Sequence, residues 1–150
     1  MTWIIVRTQH RKEASVASLI SSLARCATWH PVQIVPCRPA ISRRVTAKAH
    51  LRPFREIAIL PRRVFACLDW HAAPSLMGIH GVTEIERDGE ERVITIPDGQ
   101  LAAFRAALDA ENRAAMALVA VSTKRQKQRW QSLHDALLTL ITGTEQEQAA

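Results

Sequence analysis

Apolar positions along the chain fall into short blocks whose period alternates between that of a strand and that of a helix. Residues 3–8 open with Trp3-Ile4-Ile5-Val6, a β-branched run that predicts a buried strand. After Gln9-His10-Arg11-Lys12-Glu13, the residues Val16, Leu19, Ile20 and Leu23 recur at helical spacing. That helix should end near Cys26 or Ala27, because Pro31 follows. Residues 32–35 alternate as a second strand, stopped by Pro36 and Pro39, and residues 40–55 read as a polar, mobile hairpin or loop. Residues 57–60 and 64–68 flank Pro61-Arg62-Arg63 and read as one third strand bent at the proline.

Residues 69–75 lead into a helical turn around Leu76-Met77, with Gly78 and Gly81 marking turns. Residues 82–87 and 92–96 read as a hairpin closed at Asp88-Gly89. Pro97-Asp98 opens a helix with Asp98 as its N-cap, and Leu101, Phe104, Leu108 and Met116 lie along its buried side. A last helix runs from residue 122 to about 141, with Trp130, Leu133, Leu137, Leu138 and Ile141 in one stripe. Gly143 should end it and leave residues 144–150 as a frayed tail. The order predicts an α+β fold, an antiparallel β-sheet flanked by α-helices, over residues 1–115. A C-terminal helical extension follows over residues 116–150.

Composition sharpens this picture at one point. The net charge is +6, but residues 1–70 hold twelve Lys and Arg against three Asp and Glu, and residues 71–150 hold eight against eleven. One strongly basic half points to a polyanion beside it. No run approaches the roughly 18 apolar residues of a membrane helix, so no membrane partner is expected. Met1-Thr2-Trp3-Ile4-Ile5-Val6 lacks a basic segment and a cleavage site. This predicts no signal peptide and a cytoplasmic, nucleoid-associated location.

The chemistry-bearing residues give no positive case for an enzyme. Cys26 and His30 share a spacing with Cys67 and His71, and Cys37 is a further candidate ligand. Zinc sites, however, pair cysteines two to four residues apart, and no such pair exists, so no metal is expected. There is no nucleophile elbow, and five glycines supply no phosphate-cradling loop. Neither catalytic residues nor cofactors are predicted. Glu84, Glu86, Asp88, Glu90 and Glu91 cluster as a solvated edge that discourages strand pairing. His10, Arg11 and Lys12 stand between a strand and a helix, where side chains and backbone N–H groups can meet phosphate. Arg43, Arg44 and Arg62 with Arg63 are further candidates. No aromatic residue punctuates these stretches, which favours backbone contact over base stacking.

The residues that carry a family likeness are spread over positions 1–112. Trp3-Ile4-Ile5-Val6-Arg7-Thr8 is similar to the opening strand of the N-terminal domain of NusG-family transcription elongation factors. Glu13 at the head of the first helix and Pro36 at the close of the second strand fit the same pattern. Leu60-Pro61-Arg62-Arg63-Val64-Phe65 resembles the family's Phe-Pro-Gly-Tyr-Val-Phe, and Gly81-Val82 and Ile96-Pro97 match later steps. The resemblance implies a non-enzymatic antitermination or elongation regulator that binds the clamp of RNA polymerase through an apolar patch. Trp3, Leu60, Pro61, Arg63, Phe65 and Ile85 match that patch or its support, and His71 and Ser75 match a loop that reaches the opposite wall. His10, Arg11, Lys12, Arg43, Arg44 and Arg62 would lie near the DNA of the elongation complex. Arg62-Arg63 replaces the family's Gly-Tyr, and no C-terminal KOW barrel follows residue 112. The helix over residues 122–141 stands in its place as a packing element, partner helix or dimer seam. The alternative is a basic nucleic-acid-binding module that never touches polymerase.

Overall fold

A computed structural model describes residues 1–36, 54–116 and 123–149. Eleven elements follow in order: β1 (Thr2–Thr8), α1 (Glu13–Ala24), β2 (Thr28–Trp29), β3 (Val32–Pro36), β4 (Phe54–Ala58), β5 (Arg63–Cys67), a 3₁₀ helix (Trp70–Gly78), β6 (Val82–Ile85), β7 (Thr95–Pro97), α2 (Asp98–Met116) and α3 (Thr123–Ala149). The architecture is α+β, an antiparallel sheet with helices packed on it, as the apolar pattern predicts.

β1 is the central strand. It pairs antiparallel with β5 along Trp3↔Cys67 to Arg7↔Arg63. Its other edge is shared end to end, with β7 at Thr2–Ile4 and β6 at Val6–Thr8. Its continuous apolar run is explained by burial on both faces. Trp3 and Ile5, with Phe65 and Ile96, face Leu101 and Leu108 of α2 and Leu133, Leu137 and Ile141 of α3. Ile4 and Val6, with Ala66 and Ile85, face Val16 and Ile20 of α1 and Leu76 of the 3₁₀ helix. The five-residue stripe of α3 is thus spent inside the chain, chiefly on the face that α2 also covers. Trp130 Nε1 donates to the Ala58 carbonyl at 2.9 Å and fixes the helix rotation. Leu133, Leu137 and Ile141 therefore belong to the core, the packing role expected for this helix.

Several expectations are corrected. The bent third strand is two strands in two sheets, because β4 pairs with β3 while β5 joins β1. The turn between them carries Pro61, which has no N–H to continue a ladder, and Arg62 at φ 64°. The hairpin after Gly81 is reduced to one bridge, Arg87↔Val93, because β6 and β7 are both drawn onto β1. Its loop is pinned by Asp88, whose carboxylate accepts from the Glu90 and Arg92 backbone. Asp98 is the first residue of α2, and its carboxylate accepts the Trp3 indole N–H at 2.7 Å. α1 buries Glu13, Val16 and Ile20 but leaves Leu19 and Leu23 exposed, so its core stripe is narrower than the apolar spacing suggests. Met116 is likewise exposed. α3 passes Gly143, where one glycine costs about 1 kcal/mol against alanine, and good helix formers follow it. β2, two residues paired to β5, carries no signal in the apolar pattern.

Candidate nucleic-acid interface

Three turns meet at the end of the sheet where β1 leaves and β5 enters. Thr8 N–H donates to the Arg62 carbonyl at 2.8 Å, and Gln9 N–H donates to the Gly81 carbonyl at 2.9 Å. Glu13 closes the third side, its Oε1 accepting the Arg62 N–H at 2.9 Å. Gly81 sits at φ 94°, and a Cβ there would stand 2.7 Å from Val16 Cγ2, so the close approach of this turn to α1 requires glycine.

The three turns enclose an open cleft of about 480 Å³ lined by Arg7, Thr8, Gln9, His10, Pro61, Arg62, Arg63, Thr83 and Glu84. The arginines along it divide into two kinds. Arg63 Nε lies 2.8 Å and Arg7 Nε 3.0 Å from Glu86 Oε1, a nearly buried carboxylate between them. Their charge is largely compensated. Arg62 projects into solvent, as do His10, Arg11 and Lys12 from the β1–α1 turn. Among the described residues no ion pair is formed by Arg11, Lys12 or Arg62. Lys12 is the N-cap residue of α1 without a side-chain cap bond, so the positive end of the helix dipole adds to the same potential.

Arg11 and Arg62 share a further property. Both are left-handed, at φ 59° and 64°. For a residue with a side chain that conformation costs about 1–2 kcal/mol, which glycine avoids. Arg25 at the C-cap of α1 and Glu91 share this conformation elsewhere in the described residues.

Glu13 organises the site and titrates with it. Burial opposes its ionisation. The N–H of Arg62, its own amide and the nearby imidazoles of His30 and His10 outweigh burial and hold the carboxyl below its ordinary value of 4.5. A lowered folded value contributes stability above the ordinary value, and that stability is lost as pH falls through the lowered one. Between about pH 5 and pH 3 the wild type should therefore lose thermal stability more steeply than Glu13→Gln. Asp69 and Asp88, whose carboxyls are also held low, cancel in that comparison. Parallel melting curves would remove Glu13 from this role.

Of the residues expected in the polymerase patch or its support, Trp3, Leu60, Phe65 and Ile85 are all buried, where they underlie the surface. Trp3 and Trp29 are covered by Arg105 of α2, with its guanidinium carbon 5.1 Å and 5.6 Å from the two rings. Leu60 belongs to the buried cluster that α2 and α3 share with the sheet. Pro61, His71 and Ser75 are exposed, and Arg63 is tied to Glu86. His71 is held by Asp69 at 2.7 Å and stacks on Trp70. Arg43, Arg44 and Cys37 lie outside the described residues.

Among the described residues no three His, Cys, Asp or Glu side chains gather to hold a metal, and no helix is long and apolar enough to cross a membrane. Cys26 and Cys67 are free thiols that burial pushes above their ordinary range. Glu86, expected on a solvated acidic edge, is instead buried, because Arg7 and Arg63 both pair with it; the exposure of Trp70 carried no signal in the sequence. An acidic residue just beyond β6 cannot be assigned to a basic one in β5 until the register through β1 is known. No protein-family model matches the chain, and no curated protein matches it.

Proposed function

We propose that the protein is a regulator of transcription elongation, acting in antitermination, that docks on RNA polymerase with its basic end toward the DNA. The reading rests on the resemblance of its strands and turns to NusG-type N-terminal domains. The observation that supports it most is Arg62. It stands where the resembled Pro-Gly-Tyr motif carries glycine, and its backbone has the left-handed conformation that glycine favours in a type II turn. A left-handed residue at the position where the resembled motif carries glycine supports the reading, with the chemistry there changed from neutral to cationic.

Docking would use Pro61, Arg62, His71 and Ser75, which are exposed. The burial of Trp3, Leu60, Phe65 and Ile85 favours a second reading, a basic nucleic-acid-binding module that works without polymerase. One experiment separates the two. Affinity is measured for a reconstituted elongation complex and for its bare duplex, at several salt concentrations. The elongation reading expects firm binding to the complex and weak binding to bare DNA. Tight, steeply salt-dependent binding to the duplex alone, with no gain from polymerase, would establish the module instead.

A further inference from the structure

A second cleft, which shares no lining residue with the basic turns, lies between the start of the 3₁₀ helix and the Arg87–Val93 bridge. It encloses about 350 Å³ and is lined by Trp70, Arg87, Glu91, Arg92, Val93 and Thr95. That is at the small end of ligand sites, which run to about 300–1,000 Å³. Trp70 is 50% exposed, which is unusual for the largest apolar side chain. The indole is not loose. It stacks on His71 with ring centroids 3.6 Å apart, and His71 is in turn held by Asp69 through both its backbone N–H and its ring. The opposite wall is equally set. Asp88 accepts from the Glu90 and Arg92 amides, and Arg92 Nε lies 3.0 Å from its second oxygen. Arg87, which lines the cleft, donates Nη1 to the Glu91 carbonyl, and a guanidinium has further N–H donors beyond that bond. Glu91 is exposed, left-handed at φ 63°, and forms no ion pair among the described residues.

We propose that this cleft takes one unpaired base of a single-stranded nucleic acid, stacked on Trp70. It supplies the three features such a ligand needs. A rigid aromatic face is offered by Trp70, a carboxylate that can accept from exocyclic amino groups by Glu91, and a cation for the adjoining phosphate by Arg87. A duplex, whose bases are already stacked and paired, gains nothing from this arrangement. An arginine side chain from a protein would also suit an indole and a carboxylate, but Arg87 and Arg92 at the rim oppose a further cation. The inference extends the nucleic-acid reading above, yet it concerns a different surface from the basic turns and can fail independently of them.

The test is a fluorescence titration of the full chain with mixed-sequence oligomers of about twelve nucleotides, as single-stranded DNA, single-stranded RNA and DNA duplex. Of the four tryptophans Trp70 is the most exposed, so stacking should quench its emission. The expected result is quenching by a single strand and not by the duplex. Trp70→Ala should weaken single-strand binding roughly 5- to 100-fold and Trp70→Phe much less. The DNA and RNA arms identify which strand the cleft prefers. Single-strand affinity unchanged in Trp70→Ala overturns the inference, as does equal quenching by duplex. If Trp70→Ala instead weakens only polymerase capture, the cleft is a protein contact and the inference is again overturned. In both cases salt-dependent binding lost in Arg11→Gly/Arg62→Gly would show that the basic end still meets DNA.

Discussion

Asn112→Ala is expected to cost about 2–4 kcal/mol of stability, a fall in Tm of about 5–15 °C. Asn112 lies on α2 and is buried against the outer edge of β3. Its Oδ1 accepts the Ile34 N–H at 2.9 Å, and its Nδ2 donates to the Val32 carbonyl at 3.0 Å. One side chain thus completes the backbone bonding of an edge strand, as a neighbouring strand would. Alanine leaves both backbone groups without this partner in a part-buried site, at about 1–3 kcal/mol each. The β3–β4 ribbon has only two strands, which are marginal alone, so this bond pair joins it to the rest of the molecule. Asn112→Asp retains the acceptor but sets a carboxylate against the Val32 carbonyl, and should be no better than alanine. Urea unfolding reads the effect as a lowered midpoint with unchanged slope. A loss under about 1 kcal/mol would mean that β3's edge is satisfied in another way. The freed edge also predicts concentration-dependent association of the variant.

The second large effect divides stability from binding. Arg11→Gly together with Arg62→Gly should leave stability unchanged or raise it by about 1 kcal/mol, because relief of left-handed strain offsets the entropy that glycine adds to the unfolded chain. The same double variant should bind DNA-containing complexes roughly tenfold more weakly, with the slope of log K against log salt shallower by about 2. Arg→Lys at both positions retains the charge and the strain, so it should change neither quantity greatly. Loss of stability in the glycine variant would show that the two side chains support the fold. Unchanged affinity and slope would remove both arginines from the interface.

The basic end illustrates how far residues alone lead. His10, Arg11, Lys12 and Arg62 are visible as cations in the chain, and the turns that hold them are visible through Pro61 and Gly81. That Arg62 and Arg63 separate in role is not visible. Arg62 stands in the left-handed turn and Arg63 begins β5, so the two side chains leave in different directions, and Glu86 reaches Arg63 from 23 positions away. The apolar patch shows the opposite case. Trp3, Leu60 and Phe65 are strongly apolar, and residue type does not tell a docking surface from a core until the positions of α2 and α3 are known.

By itself the chain determined the existence and type of its longer elements, since the period of apolar residues is a local property that each segment carries alone. It also determined the excess of cations in the first seventy residues. Only the tertiary structure decided how β1 shares one edge between β6 and β7, that residues 57–68 divide between two sheets, and that Asn112 completes β3. These are pairings between residues far apart in sequence. Their energies depend on register and burial, and neither quantity belongs to a residue before its neighbours are in place.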